Sequence, residues 1–261
     1  MKWMSKTTAA LALASVLVPC PAARADEWDQ GTDSDNFPGT DNGLRHGSEQ
    51  VHDMTGVLPN GDQDWYLLTA HPFSSYEFVI DGMTGEVDFA PASVQRFLAG
   101  GTNPEQSAEL LDAGILAMRW FGPVVPGVVT HFTRVQGASC GTACDTNDRY
   151  RARFFDTTYT IPRFNNSGTQ STVLLIQNAT DRACVVTMYF LRQDGTLISA
   201  SSAGSVSPHQ LLVVPTANSL PNQSGTVRVG HTCGYGGLTG KAVSIEPSTG
   251  FTFDTALQYR P

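Results

Sequence analysis

Charged side chains are scarce in this 261-residue sequence, at 15% of the total, and lysine is almost missing. Beyond residue 25 the only lysine is Lys241, and every other base there is an arginine. Acids outnumber bases 24 to 16, for a net charge of −8. That balance argues against nucleic acid or an anionic membrane as the main partner. Long apolar runs are also lacking. The longest, Ala9 to Val18, has about ten residues, whereas a membrane helix needs roughly 20. No other stretch approaches that length, so no membrane span is expected. Neither an internal repeat nor a segment long enough to be a disordered linker is visible.

What stands at the N-terminus is ordered like a secretory leader. Lys2 and Lys6 come first, then the apolar run, then Pro19 and the small-residue site Ala23-Arg24-Ala25 ahead of Asp26. Residues 1–25 are therefore expected to be a signal peptide, and the mature chain to be exported, periplasmic or extracellular. Its removal takes three bases and no acid, moving the net charge from −8 to −11. It also takes Cys20 and leaves Cys140, Cys144, Cys184 and Cys233. An even count in an oxidising compartment reads most simply as two disulfides, with three connectivities open. Cys140 and Cys144 are close enough to close a local loop, which would leave Cys184 to Cys233. A zinc site from Cys140, Cys144, Cys233 and His231 is the rival, and its spacing follows no zinc-finger pattern.

Acidity is unevenly spread. Residues 26–90 carry fourteen acids against Arg45 alone, while residues 91–261 carry ten acids against twelve bases. Residues 26–64 are rich in Asp, Gly and Asn and read as mostly loop. Strand-like runs follow at 64–69, 76–80, 115–121, 124–135 and 149–160, then at 171–177, 184–191, 196–200, 210–214 and 226–230. Asp194-Gly195 between two apolar runs is a hairpin signal. At Asn103-Pro104-Glu105-Gln106 the chemistry of a helix start competes with extended chain as far as Gly114. Short strands at about ten-residue spacing, punctuated by Gly, Pro and Asn, imply an all-β protein of sandwiches or barrels. Two β-sandwich domains are expected, 26–148 and 149–261, jelly-roll-like and then immunoglobulin-like.

Gly61-Asp62-Gln63-Asp64-Trp65-Tyr66-Leu67-Leu68, followed by Tyr76-Glu77-Phe78-Val79-Ile80, resembles the bacterial pre-peptidase C-terminal domain. The resemblance implies a small secreted β-sandwich of the kind appended to exported proteases and other enzymes. The later segments 163–170 and 240–251 resemble uncharacterised bacterial secreted sandwich domains. Both likenesses imply architecture more than activity.

Candidate chemistry is thin. Gly137-Ala138-Ser139-Cys140-Gly141 matches the G-x-S-x-G pattern, but a nucleophile elbow needs a following helix, and a Cys- and Asp-rich turn follows here. No catalytic residue is assigned. Asp33, Asp35, Asp62 and Asp64 are candidate calcium ligands, since hard cations take clustered carboxylate oxygens; their blander role is to bond nearby backbone amides. No other cofactor is expected. Arg149, Arg151 and Arg153 alternate with Tyr150, Ala152 and Phe154, which puts three guanidiniums on one strand face. That face is an anion-binding candidate, or else an exposed face neutralised by nearby acids. Trp65, Tyr66, Tyr76, Phe78, Trp120, Phe121, Tyr189 and Phe190 lie inside strand-like runs and read as core, with a sugar-binding platform requiring several of them exposed together. His46, His52, His71 and His131 show no ligand spacing. The expected function is thus a non-catalytic binding or interaction protein with an unknown protein or carbohydrate partner. A hydrolase or protease accessory subunit, and a structural or adhesive component, are the alternatives; oligomeric state is left open.

Overall fold

The computed structural model describes residues 28, 35, 37–55, 62–137, 139–140 and 144–260. The expected signal peptide and Asp33 lie outside the described residues. The chain forms two antiparallel β-sandwiches, each around its own core. The first contains β1 (Ser48–Asp53), β2 (Gln63–Ala70), β3 (Ser75–Asp81), β4 (Val94–Leu98), β5 (Gln106–Ser107), β6 (Glu109–Asp112), β7 (Ile115–Phe121), β8 (Val129–Gln136) and β9 (Arg149–Asp156). Its sheets have the orders β1-β9-β3-β7-β6 and β2-β8-β4-β5. The second contains β10 (Tyr159–Asn165), β11 (Ser171–Asn178), β12 (Cys184–Leu191), β13 (Leu197–Val206), β14 (Leu211–Pro215), β15 (Ser224–His231), β16 (Leu238–Glu246), β17 (Phe251–Ala256) and β18 (Gln258–Tyr259). Its sheets run β13-β12-β15-β10-β18 and β14-β11-β16-β17.

Period 2 explains which side chains fill each core. On β9, Tyr150, Ala152 and Phe154 are buried while the three arginines lie outward. On β2 the buried face is Asp64, Tyr66, Leu68 and Ala70. The alternation that sends two large apolar residues inward thus carries a carboxylate with them. All seven residues of β3 are buried, because it lies between β9 and β7 and both its faces are covered.

Several boundaries differ from expectation, each for a local reason. The run 149–160 is two strands, and the first belongs to the first sandwich, pairing with β1 and β3. The chain changes sandwich at Thr157–Thr158 rather than at 148/149. There the Asp156 carboxylate accepts the Thr158 N–H at 3.0 Å, and the Ser75 carbonyl accepts the Thr157 N–H at 2.9 Å. The ambiguous segment after Asn103 is extended, as β5 and β6. β8 begins at Val129 rather than near Val124, since Pro126 has no N–H to give a ladder and Gly127 follows at φ 127°. The acidic stretch read as loop holds β1, whose inward residues include Gln50 and His52.

Both disulfides form as the simplest pairing required, Cys140–Cys144 and Cys184–Cys233. The thiols are therefore not available for the rival zinc site.

The sandwiches meet along the outer face of β3. Ser75 Oγ accepts the His231 N–H at 2.9 Å, and Glu77 Oε2 accepts the Tyr235 N–H at 2.7 Å. Glu77 Oε1 also holds Arg119 Nε at 2.7 Å. Gly234, at φ 86°, makes the turn that brings Tyr235 there, and a Cβ on it would lie 2.8 Å from Arg119. Phe73 packs against Tyr189, and Arg228 donates to the Pro72 carbonyl.

Candidate functional site

The three arginines of β9 do share a face, and that face is largely neutralised. Arg151 Nε donates to Asp81 Oδ1 at 2.6 Å and lies 3.6 Å from Glu49, and Arg153 also pairs with Asp81. Arg149 is turned to the Thr146 carbonyl. The counter-charges come from the same sandwich, β1 and β3 flanking β9, and not from across the seam.

The acidic candidates separate. Asp62, at the strand start, accepts the Gln63 N–H at 2.9 Å through Oδ1. Asp35 and Asp64 instead converge inside the first sandwich on His52, a residue with no signal in its sequence spacing. His52 Nδ1 lies 3.4 Å from Asp35 Oδ2 and 3.5 Å from Asp64 Oδ1, and all three side chains are fully buried. Around them, Tyr150 donates to Asp64 Oδ2 at 2.5 Å, and the Tyr66 and Tyr150 hydroxyls are 2.7 Å apart. Burial and the adjacent carboxylate push the Tyr150 phenol well above its ordinary pKa, so it stays protonated. Asn42 Nδ2 donates to Asp35 Oδ2, Gln50 Nε2 to Asn42 Oδ1, and Gln50 Oε1 faces His52 Nε2 at 3.0 Å. The register that sets His52 opposite Tyr150 on β9 assembles this group, and no linear motif could have revealed it.

A second polar feature is a cleft of about 340 Å³ between the sandwiches. Its lining includes Arg45 and His46 before β1, His71 after β2, Tyr76 of β3, Asp156 of β9 and Arg260 after β18. Arg260 is held by Ser74 Oγ and by Asp156 at 3.6 Å. His46 Nδ1 accepts the Asp156 N–H at 3.1 Å, which makes Nε2 the donor of its neutral ring. Arg45 is exposed and has no ion pair among the described residues. Burial, with Asp156 adding to it, raises the Tyr76 pKa, so this phenol too is neutral.

The sequence-selected aromatics are core residues, with Phe121 half-buried. The more exposed rings lie beside the cleft, and they stack on one another. Phe155 stacks on Tyr235 at 4.4 Å, Tyr235 meets Tyr259 at 4.9 Å, and Tyr259 meets Tyr159 at 4.3 Å. Their faces are spent on joining the sandwiches rather than offered as a flat platform. Ser139 is exposed and pairs through its backbone with Asp88, an isolated bridge and not a strand-turn-helix elbow. Among the described residues no histidine or carboxylate side chain bonds its hydroxyl.

No family model matches the chain, and no curated protein matches it. Among solved structures it is similar to a β-glucuronidase from glycoside hydrolase family 2, at 12% identity and TM-score 0.19, over 87% of this chain and 26% of that one. It is also similar to the full extracellular region of zebrafish Gpr126/Adgrg6, at 13% identity and TM-score 0.24, over 81% and 30%. A Bacteroides uniformis β-glucuronidase follows at 10% identity and TM-score 0.19, over 81% and 32%. The chain spans about a third or less of each of these proteins, and likenesses this slight carry no argument about its function.

Proposed function

We propose that this chain is an exported, non-catalytic binding protein that holds a small anionic ligand in the cleft between its sandwiches. Arg45 carries the reading. It is the only base among residues 26–90, and it lies on the cleft wall, exposed and without an ion pair among the described residues. His46, His71 and Arg260 add donors around it, and Asp156 is the one acid in the lining. A guanidinium fork with neighbouring N–H donors suits a carboxylate, which it can hold through two hydrogen bonds. The volume falls in the range of small-molecule sites. Stacking among Phe155, Tyr235 and Tyr259 favours recognition by charge over recognition by a ring face. Two disulfides support export, because they persist in oxidising compartments.

The test is a thermal-shift screen of small carboxylates, including acidic sugars and peptides, followed by calorimetric titration of any hit. Binding weakened at least tenfold in Arg45→Ala, with neutral analogues silent, is the expected result. A hit that binds Arg45→Ala equally well refutes the assignment.

A further inference from the structure

We propose that Asp35, His52 and Asp64 form a buried site for a borderline divalent cation of the zinc type, separate from the cleft. The first argument is the direction of the hydrogen bonds. An ionised Asp35 can only accept, so Asn42 turns its amide nitrogen to Asp35 Oδ2. Asn42 Oδ1 then accepts from Gln50 Nε2, and Gln50 Oε1 is left to face His52 Nε2 at 3.0 Å. The proton of the neutral ring is therefore on Nε2, and the lone pair of Nδ1 points between two carboxylate oxygens. A lone pair and two anions in a fully buried place repel one another unless a cation lies among them.

The second argument is spacing. A proton on Nδ1 would make N–H···O bonds of about 2.7–3.2 Å, shorter than the 3.4 and 3.5 Å found. Metal bonds of about 2.0–2.2 Å directed to tetrahedral corners set ligand atoms roughly 3.3–3.6 Å apart. The observed separations are such edges, and the candidate ligand atoms all lie within 4.8 Å of one another.

The donor set chooses the metal. One imidazole nitrogen and two carboxylate oxygens suit zinc and its neighbours, whereas calcium takes six or more oxygens and little use of imidazole. The surroundings are those of an oriented ligand set: the second ring nitrogen of His52 faces an amide oxygen, and Tyr150 bonds the far oxygen of Asp64. Tyr150 and Trp28 stack against the imidazole, with centroids 5.6 and 5.8 Å away. Such a site fills as the chain folds.

Full-length mature protein, refolded from denaturant with Zn²⁺, with Ca²⁺ or with chelator, tests this by elemental analysis and thermal melting. About one equivalent of tightly held zinc is expected, with a melting rise of roughly 5 °C or more when zinc is a hundredfold over Kd. Calcium should give neither. Zinc affinity should fall more than tenfold in His52→Gln and be unchanged in His209→Gln, whose histidine is exposed on the other sandwich. Should His52→Gln fail to fold, visible absorption of the Co²⁺-refolded wild type decides: bands of four-coordinate cobalt support the site, and their absence overturns it. No stoichiometric zinc in the wild type, equal affinity in a folded His52→Gln, or binding of calcium in place of zinc also overturns it.

Discussion

Lowering the pH should weaken this protein at its seam, and His231 sets how much. Its ring is buried at the end of β15, packed near Tyr159 at 5.5 Å, and its Nδ1 accepts the Cys233 N–H at 3.2 Å. Burial lowers its pKa from 6.5 to about 4; the Arg119 charge acts in the same sense, against an opposing contribution from the Thr157 backbone. The folded state therefore favours the neutral ring, while the unfolded chain takes up a proton near pH 6.5. This contribution is complete above about pH 6.5 and is lost as the pH falls toward 4. At pH 5 the difference in proton binding amounts to about 2 kcal/mol, a large part of the 5–15 kcal/mol typical of a domain. Urea unfolding at pH 7.5 and pH 5.0, on wild type and His231→Gln, isolates it from the titration of surface carboxylates. The variant should lose about 2 kcal/mol less than wild type between the two pH values, whatever its stability at pH 7.5. Equal losses would mean that His231 is not held neutral by burial, and the reasoning fails.

Three further outcomes follow from the packing. Glu77→Ala removes both the acceptor of the Tyr235 N–H and the partner of Arg119, and should cost about 3–5 kcal/mol in urea unfolding, as for other broken buried pairs. Removing Cys184–Cys233, which closes a separation of 49 residues, should cost about 4 kcal/mol on loop-closure grounds. Removing Cys140–Cys144, with a separation of 4, should cost about 2 kcal/mol, and paired Cys→Ala variants in denaturant check the order. Asp81→Ala frees Arg151 and Arg153 together; retention on a sulfated resin at low salt should rise above wild type and vanish at high salt.

The sequence by itself determined the all-β class, because strand alternation and turn chemistry are local properties. The strands β7, β11 and β12 were legible almost to the residue, and the order Trp65-Tyr66-Leu67-Leu68 announced β2. Two disulfides followed from the even cysteine count; their connectivity needed space as well as spacing. Other features were invisible for a common reason. β1 lies in an acidic stretch of low apolar content, and it is a strand because β9 supplies its ladder from a hundred residues away. β9 itself reads like the first strand of a second domain, yet its buried face completes the first core. The arginine face was visible as alternation, whereas its neutralisation by Asp81 depended on which strand became the neighbour of β9. Of the four acids chosen for calcium, Asp64 was buried by its own strand phase, but only the tertiary fold set Asp35 and His52 against it. Strand phase is written residue by residue in the sequence; which strands pair, and so which polar groups share a buried space, is decided by long-range burial.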